Sequence, residues 1–264
     1  MSGDLKARFG PAALVTGASD GIGRAFAEAL AAQGVDLVLV ARSEVKLHAI
    51  ARDLVTKHNI TAHVIAVDLS APGAVAAILK QTEHTLVGLL VASAGFGSIG
   101  PFLDLDAATE ANMVDVNCRS VVELTHGLAT RMAAQGRGGV VLFSSVVGFS
   151  GAPFSATYAA TKGFVQSFAE GLAVELRPLG ISVLSVAPGP VGTGFAVRSG
   201  MQMGKAETPE TVARASLAAL AGGGTLRPGF LSKLLGWSLA MLPRAGRVRL
   251  LGQIMKGMMP KPKG

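Results

Sequence analysis

The chain has 264 residues, half of them hydrophobic, and a formal net charge of +7. That length suits one domain with a sizeable core. The single Cys118 excludes an internal disulfide and permits a cytoplasmic setting, while His48, His58, His63, His84 and His126 show no ligand spacing, so no metal site is expected. The charge is uneven: no acidic residue follows Glu210, and removing the eight Lys/Arg from Arg227 onward leaves a formal −1. The basic balance therefore belongs to the C-terminal tail, and nucleic-acid binding by the body is not expected.

The first residues, MSGDLKARFG, hold no apolar stretch, so no signal peptide is expected. Ala12 to Thr16 reads as a short apolar strand. Gly17-Ala18-Ser19-Asp20-Gly21-Ile22-Gly23 follows, then an amphipathic helix from Arg24 to about Gln33. Strand, glycine turn and helix are the setting a dinucleotide site requires. The glycines allow a tight turn, and the helix N-terminus offers free N–H groups to a pyrophosphate. The alternative is a glycine-rich turn with no ligand.

The next strand, Asp36 to Ala41, ends at Arg42-Ser43. A site for the unphosphorylated nucleotide would usually carry Asp or Glu here for the ribose 2′-OH. A guanidinium instead suits a 2′-phosphate, with Lys46 one turn further on, so NADP(H) is expected. Asp20 is a counter-signal to this, and a solvated surface charge is the plain alternative for Arg42. Four more strands are expected: Thr61 to Val67 before Asp68-Leu69, Leu86 to Ala92 before Ser93-Ala94-Gly95, Gly139 to Ser144 before Ser145, and Ile181 to Ala187 before Pro188-Gly189. Short apolar strands separated by helices predict a doubly wound parallel α/β sheet of Rossmann type. Ligands bind at the carboxyl ends of such strands, where these residues fall.

Tyr158 is the only tyrosine and lies four residues before Lys162. Positions i and i+4 share a helix face. At ~4 Å and an effective dielectric of ~20, the ammonium would favour the phenolate by ~4 kcal/mol, lowering the phenol from ~10. Chance pairs of this kind are common, so the pair alone carries little.

Together these residues identify a resemblance. TGASDGIG (Thr16 to Gly23), Asp68-Leu69, Ser93-Ala94-Gly95, Asn117, Ser145, Tyr158-x-x-x-Lys162 and Pro188 to Thr193 resemble a short-chain dehydrogenase/reductase over about residues 10 to 225. The run VLVARSEVKL resembles NADP-dependent ketone reductases of that family. The resemblance implies about seven strands and hydride transfer between nicotinamide and a carbonyl carbon. It makes Tyr158 the acid or base, and has Lys162 hold the ribose and lower the Tyr158 pKa. Ser145 would bond the substrate oxygen, and Asn117, on a long helix, would hold a water linking Lys162 to solvent. Gly17, Ser19, Asp20, Gly21, Ile22 and Gly23 would form the pyrophosphate turn, with Arg42 and Ser43 at the 2′ position. Asp68 and Leu69 would meet adenine, while Ser93, Ala94 and Gly95 run beside ribose. Pro188, Gly189, Val191 and Thr193 would face nicotinamide. A homodimer or homotetramer is implied through the Asn117 and Tyr158 helices. Ala92-Ser93 stands where the family has Asn-Asn, which puts one sheet contact in doubt. Gly148 to Ala152 does not form a serine nucleophile elbow and reads as substrate wall.

Two segments lie outside the best-matched motifs. Gly194 to Glu207 reads as a mobile lid with Phe195, Met201 and Met203 toward an apolar substrate, preceding a helix capped by Thr208-Pro209. Residues 227–264 read as a helical extension of a catalytic domain at 1–226. Phe230 to Leu242 is apolar and, at ~20 Å as a helix, too short to cross a bilayer. A second helix from Arg244 to Met259 carries Val248, Leu251, Met255 and Met259 on one face. The tail either packs over the substrate pocket or lies on an anionic membrane surface. The expected activity is NADPH-dependent reduction of an apolar ketone or aldehyde, first an acyl-type ketone. The alternatives are a steroid or alcohol dehydrogenase working oxidatively, and a silent nucleotide-binding scaffold.

Overall fold

The computed structural model describes residues 5–202 and 206–259. The aliphatic runs form seven parallel strands: β1 (Ala12–Thr16), β2 (Asp36–Ala41), β3 (Ala62–Ala66), β4 (Val87–Ala92), β5 (Gly138–Phe143), β6 (Ile181–Val186) and β7 (Gly224–Leu226). Their order is β3-β2-β1-β4-β5-β6-β7. β1, β4 and β5 are buried along their whole length, because helices cover both faces. The order reverses between β1 and β4, which opens a crevice at their carboxyl ends.

The helices are α1 (Leu5–Phe9), α2 (Gly21–Ala31), α3 (Glu44–His58), α4 (Ala74–Gln81), α5 (Ala107–Val114), α6 (Ser120–Ala134), α7 (Ala156–Glu175), α8 (Gly194–Ser199), α9 (Pro209–Ala219), α10 (Phe230–Ala240) and α11 (Arg244–Met258). Phe26 and Leu30 of α2, Leu47 and Leu54 of α3 and Val212 of α9 pack on one sheet face. Ile78 of α4, Leu124 and Leu128 of α6 and Val165 of α7 pack on the other. Each such side chain stabilises the fold by about 1.5–3 kcal/mol on burial.

Several elements depart from the sequence reading. α1 was not expected; its Leu5 and Phe9 are buried, and a Cβ at Gly88 would fall on the Phe9 carbonyl. The three residues of β7 follow a run of glycines and carry too little apolar signal to be located in advance. The long helix bearing Asn117 is not regular: a π-helical turn, Asp115–Arg119, joins α5 to α6. Such turns frequently sit at functional sites. The predicted lid loop begins as α8, while Met203 lies outside the described residues, as do Lys261 and Lys263. The α9 start is as expected, with the Thr208 hydroxyl accepting the Thr211 N–H at 3.2 Å and Pro209 in the first turn.

The tail packs on the body. Leu239, Leu251 and Met255 form a third apolar cluster with Val146, Val147, Ala152 and Ala159. Val248 of α11 is half-buried, and Arg249, Gln253 and Lys256 are exposed, so the expected two-faced helix turns its apolar side inward.

Candidate active site

A cleft of about 520 Å³ runs along the carboxyl ends of the strands. At one end β1 turns into α2. Gly17 and Gly21 have φ of +66° and +53°, in the left-handed region that favours glycine. A Cβ on Gly23 would strike the Gly17 carbonyl, and one on Gly21 would meet Thr193 Cγ2 at 2.8 Å. The turn is thus closed to side chains and leaves its backbone bare at a helix N-terminus, so its residues fit a dinucleotide pyrophosphate.

Asp20 caps α2 by accepting the Gly21 N–H at 2.7 Å, and its other oxygen accepts from Arg198 Nη1 of α8 at 2.8 Å. Partial burial works to raise its pKa. The Arg198 hydrogen bond and charge, with the Gly21 amide, outweigh it and hold the carboxyl below its usual range. Arg198 was not foreseen; from α8 it pairs with Asp20 and so sets a cation beside the acidic residue of the turn.

Arg42, Ser43 and Lys46 line the crevice beyond β2. Ser43 precedes α3 without capping it through its side chain, which leaves that hydroxyl for another acceptor or donor. Asp68 accepts from the Ser70 N–H at 3.0 Å and from Ser70 Oγ at 2.8 Å. These bonds, against partial burial, and the nearby Arg42 charge hold it below the ordinary carboxylate range. Leu69 is buried beside it. After β4, the Thr16 hydroxyl accepts the Ala94 N–H at 3.0 Å, so a threonine of β1 supplies a strand tie in the region where the sequence departs from the family pattern.

The chemistry-bearing side chains meet in the middle of the cleft. α7 presents Tyr158 and Lys162, and Ser145 follows β5. Lys162 Nζ donates to the Phe143 carbonyl at 2.8 Å and lies 5.6 Å from the Tyr158 ring centre. Ser144 Oγ donates to the Lys162 carbonyl at 2.9 Å, which fixes this turn of α7 against β5.

The expected acidic phenol is not found. Burial pushes Tyr158 up to about 12, with a hydrogen bond to Ser145 pulling the other way. Burial also pushes the Lys162 amine down to about 8. Desolvation sets both shifts, and the ammonium spends its hydrogen bond on a strand carbonyl rather than on the phenol. The phenol therefore holds its proton at neutral pH. Burial likewise raises the Cys118 thiol to about 11, despite the Lys162 charge, and so disfavours its thiolate.

Asn117 stands behind the cleft wall rather than in it. Its Oδ1 accepts the Phe96 N–H at 3.1 Å, and its Nδ2 donates to the Phe96 carbonyl at 2.9 Å and to Thr161 Oγ1 at 3.1 Å. It clamps the loop after β4 to α7. A Cβ on Gly95 would meet Asn117 Oδ1 at 2.9 Å and Lys162 Nζ at 3.7 Å, so amide and amine share one pocket behind Gly95.

At the far end, the Pro188 carbonyl accepts the Val146 N–H at 3.1 Å, and the Gly189 N–H donates to Ser232 Oγ of α10 at 2.8 Å. Thr193 Oγ1 accepts the Phe195 N–H at 3.2 Å. The Phe195 ring lies 5.5 Å from that of Tyr158, with Val191 and buried Met201 nearby in the cleft wall. Leu235 and Leu239 of α10, and Leu251, Ile254, Met255 and Met258 of α11, complete an apolar wall. The residues expected at the cofactor and catalytic positions line this one cleft, except Gly23 and Asn117, which support it from behind. Ser232 was missed; its one signal was a hydroxyl near the start of an apolar run.

The model of the short chain dehydrogenase family matches residues 11–203. The chain is 32% identical over 180 residues to a 7beta-hydroxysteroid dehydrogenase of Collinsella aerofaciens, covering 68% of each. A solved 7beta-hydroxysteroid dehydrogenase superposes with a TM-score of 0.87 at 27% identity, over 94% of this chain and 99% of that one. A short-chain dehydrogenase from Sphingobium yanoikuyae in complex with NADPH gives 0.80 at 30% identity, over 89% and 97%. The match spans the glycine turn and the Ser145–Tyr158–Lys162 cluster alike, and the chain belongs to the short-chain dehydrogenase family, as an NADP(H)-dependent oxidoreductase of carbonyl and alcohol groups.

Proposed function

We propose that the protein reduces a bulky apolar ketone, with Tyr158 as the proton donor. A half-buried phenol hydrogen-bonded to Ser145, with the Lys162 amine 5.6 Å from its ring centre and an apolar-walled cleft in front of it, carries this reading. NADPH, when bound, supplies the hydride. Tyr158 gives its proton to the oxygen that becomes the alcohol, and Ser145, hydrogen-bonded to that phenol, steadies the same oxygen. A positioned donor of this kind contributes typically 10²–10⁴-fold. Lys162, held by the Phe143 carbonyl, orients the ribose and offers a positive charge as the phenolate forms. Asn117 keeps Lys162 and the loop after β4 in register and lies where a water relay to the amine would pass. Gly17, Gly21 and Gly23 take the pyrophosphate, Arg42 and Ser43 the 2′-phosphate, and Asp68 and Leu69 the adenine. Ser93 to Gly95 pass the ribose, and Pro188, Gly189, Val191 and Thr193 seat the nicotinamide.

Phe195, Met201 and the tail residues form the substrate wall. The likeness to 7beta-hydroxysteroid dehydrogenases supports a rigid polycyclic ketone, and the likeness to very-long-chain 3-oxoacyl-CoA reductases supports the acyl-type ketone expected first. Residues 1–226 act as the catalytic body and 227–264 as its closing extension. Exposed Val114 of α5 and Phe164 of α7 support pairing of subunits through these helices. The single buried thiol suits a reducing cytoplasm.

The test is NADPH consumption with a panel of oxo-steroids, 3-oxoacyl thioesters and simple ketones, for wild type and Tyr158→Phe. Turnover on a polycyclic ketone should fall at least about hundredfold in the variant, with NADPH binding retained. Equal turnover by both proteins overturns the assignment of the acid. NADPH binding without turnover on any of the panel would favour the non-catalytic reading.

A further inference from the structure

α10 is apolar on two opposite faces. Its inner face sends Leu235 and Leu239 into the cleft, and Ser232 anchors it to Gly189. Its outer face carries Phe230, Leu234, Trp237 and Met241, which are 77%, 46%, 67% and 70% exposed. At 100° per residue these four fall in one stripe roughly 60° wide and about 16 Å long. Their exposed area is on the order of 500 Å², at the upper end of what a monomer leaves in water. A helix apolar on both sides is normally covered on both. Among the described residues nothing covers this side.

The surrounding charge says what does. Lys233 borders the stripe and is exposed, and exposed Arg244 follows Met241 by three residues. Arg249 and Lys256 add exposed cations, and the chain has no acidic residue after Glu210 to neutralise them. A second copy of the same face would set these cations against their own kind. An anionic bilayer surface matches both features: acyl chains for the stripe and lipid phosphates for the Lys/Arg fringe. Among the described residues no helix is long and apolar enough to cross a membrane, so contact would lie in the interface plane.

We propose that the outer face of α10 seats the protein on an anionic lipid surface. This contact is independent of the catalytic assignment, because none of the four stripe residues lines the cleft. Of the two readings of the tail, packing over the pocket fits α11, whose Leu251 and Met255 are buried.

Trp237 is the only tryptophan of the chain, so its fluorescence reads the stripe directly. The full-length protein is titrated with phosphatidylcholine vesicles, with and without added phosphatidylglycerol, and floated on density gradients. Emission should shift to the blue, and protein should float, only with the anionic vesicles and less at high salt. Two variants that keep the reporter, Phe230→Ser/Met241→Ser and Lys233→Gln/Arg244→Gln, should each bind at least about tenfold more weakly. NADPH-induced thermal shifts equal to wild type show that they are folded. No blue shift with anionic vesicles, equal binding of neutral vesicles, or undiminished binding of both variants overturns the proposal. So does a concentration-dependent blue shift without lipid, accompanied by a larger mass in light scattering, which would make a second copy the occupant.

Discussion

Replacing Lys162 by methionine should make the resting protein more stable at neutral pH while removing its activity. Burial lowers the amine from 10.5 to about 8. At 1.36 kcal/mol per unit, keeping it charged at pH 7 costs about 3 kcal/mol. Methionine fills the same length without charge, but the Phe143 carbonyl loses its donor, which costs about 1–2 kcal/mol. The variant should therefore be about 1–2 kcal/mol more stable at pH 7, or roughly 2–8 °C in Tm. The difference must depend on pH. Between about 8 and 10.5 the unfolded lysine binds more protons than the folded one, so wild-type stability rises with pH and the gap closes. The Tyr158 phenol acts oppositely, and in both proteins: folded, it keeps its proton to about 12, so stability falls as pH rises from 10 to 12. Thermal melts at pH 7 and pH 10 without cofactor measure both. A variant less stable by the same amount at both pH values would refute the claim that Lys162 carries a desolvation cost. NADPH should then stabilise wild type more than the variant.

Arg42→Ala should weaken NADPH binding at least about tenfold and NADH binding less than about twofold, read by nicotinamide fluorescence; equal losses would remove Arg42 from the 2′ position. Gly23→Ala sets a Cβ on the Gly17 carbonyl, so the turn must open. NADPH affinity should fall roughly hundredfold with the far-ultraviolet dichroism unchanged, and unaltered affinity would show that the turn is looser than its geometry implies.

The sheet was legible because buried parallel strands read as unbroken aliphatic runs, and because the glycine turn sits between a strand and a helix. The site was legible where it depended on spacing along one element, as with Tyr158 and Lys162. It was not legible where it depended on distance in space. Arg198 reaches Asp20 across 178 positions of sequence, and Ser232 reaches Gly189 across 43. The direction of the Tyr158 shift failed for the same reason. The spacing gave the nearness of a cation, but not the burial that raises the phenol or the carbonyl that occupies the amine. The π-helical turn at Asn117 has no compositional mark at all.

The bond between the Gly189 amide and Ser232 changes how the tail must be studied. A chain cut at Arg227 would not be a smaller enzyme missing an accessory. It would lose the acceptor for the Gly189 amide, and the apolar wall made by Leu235, Leu239, Leu251, Ile254, Met255 and Met258 would go with it. The same bond is a mechanical link, through which a tug on α10 is delivered to the Pro188-Gly189 peptide at the cleft's edge.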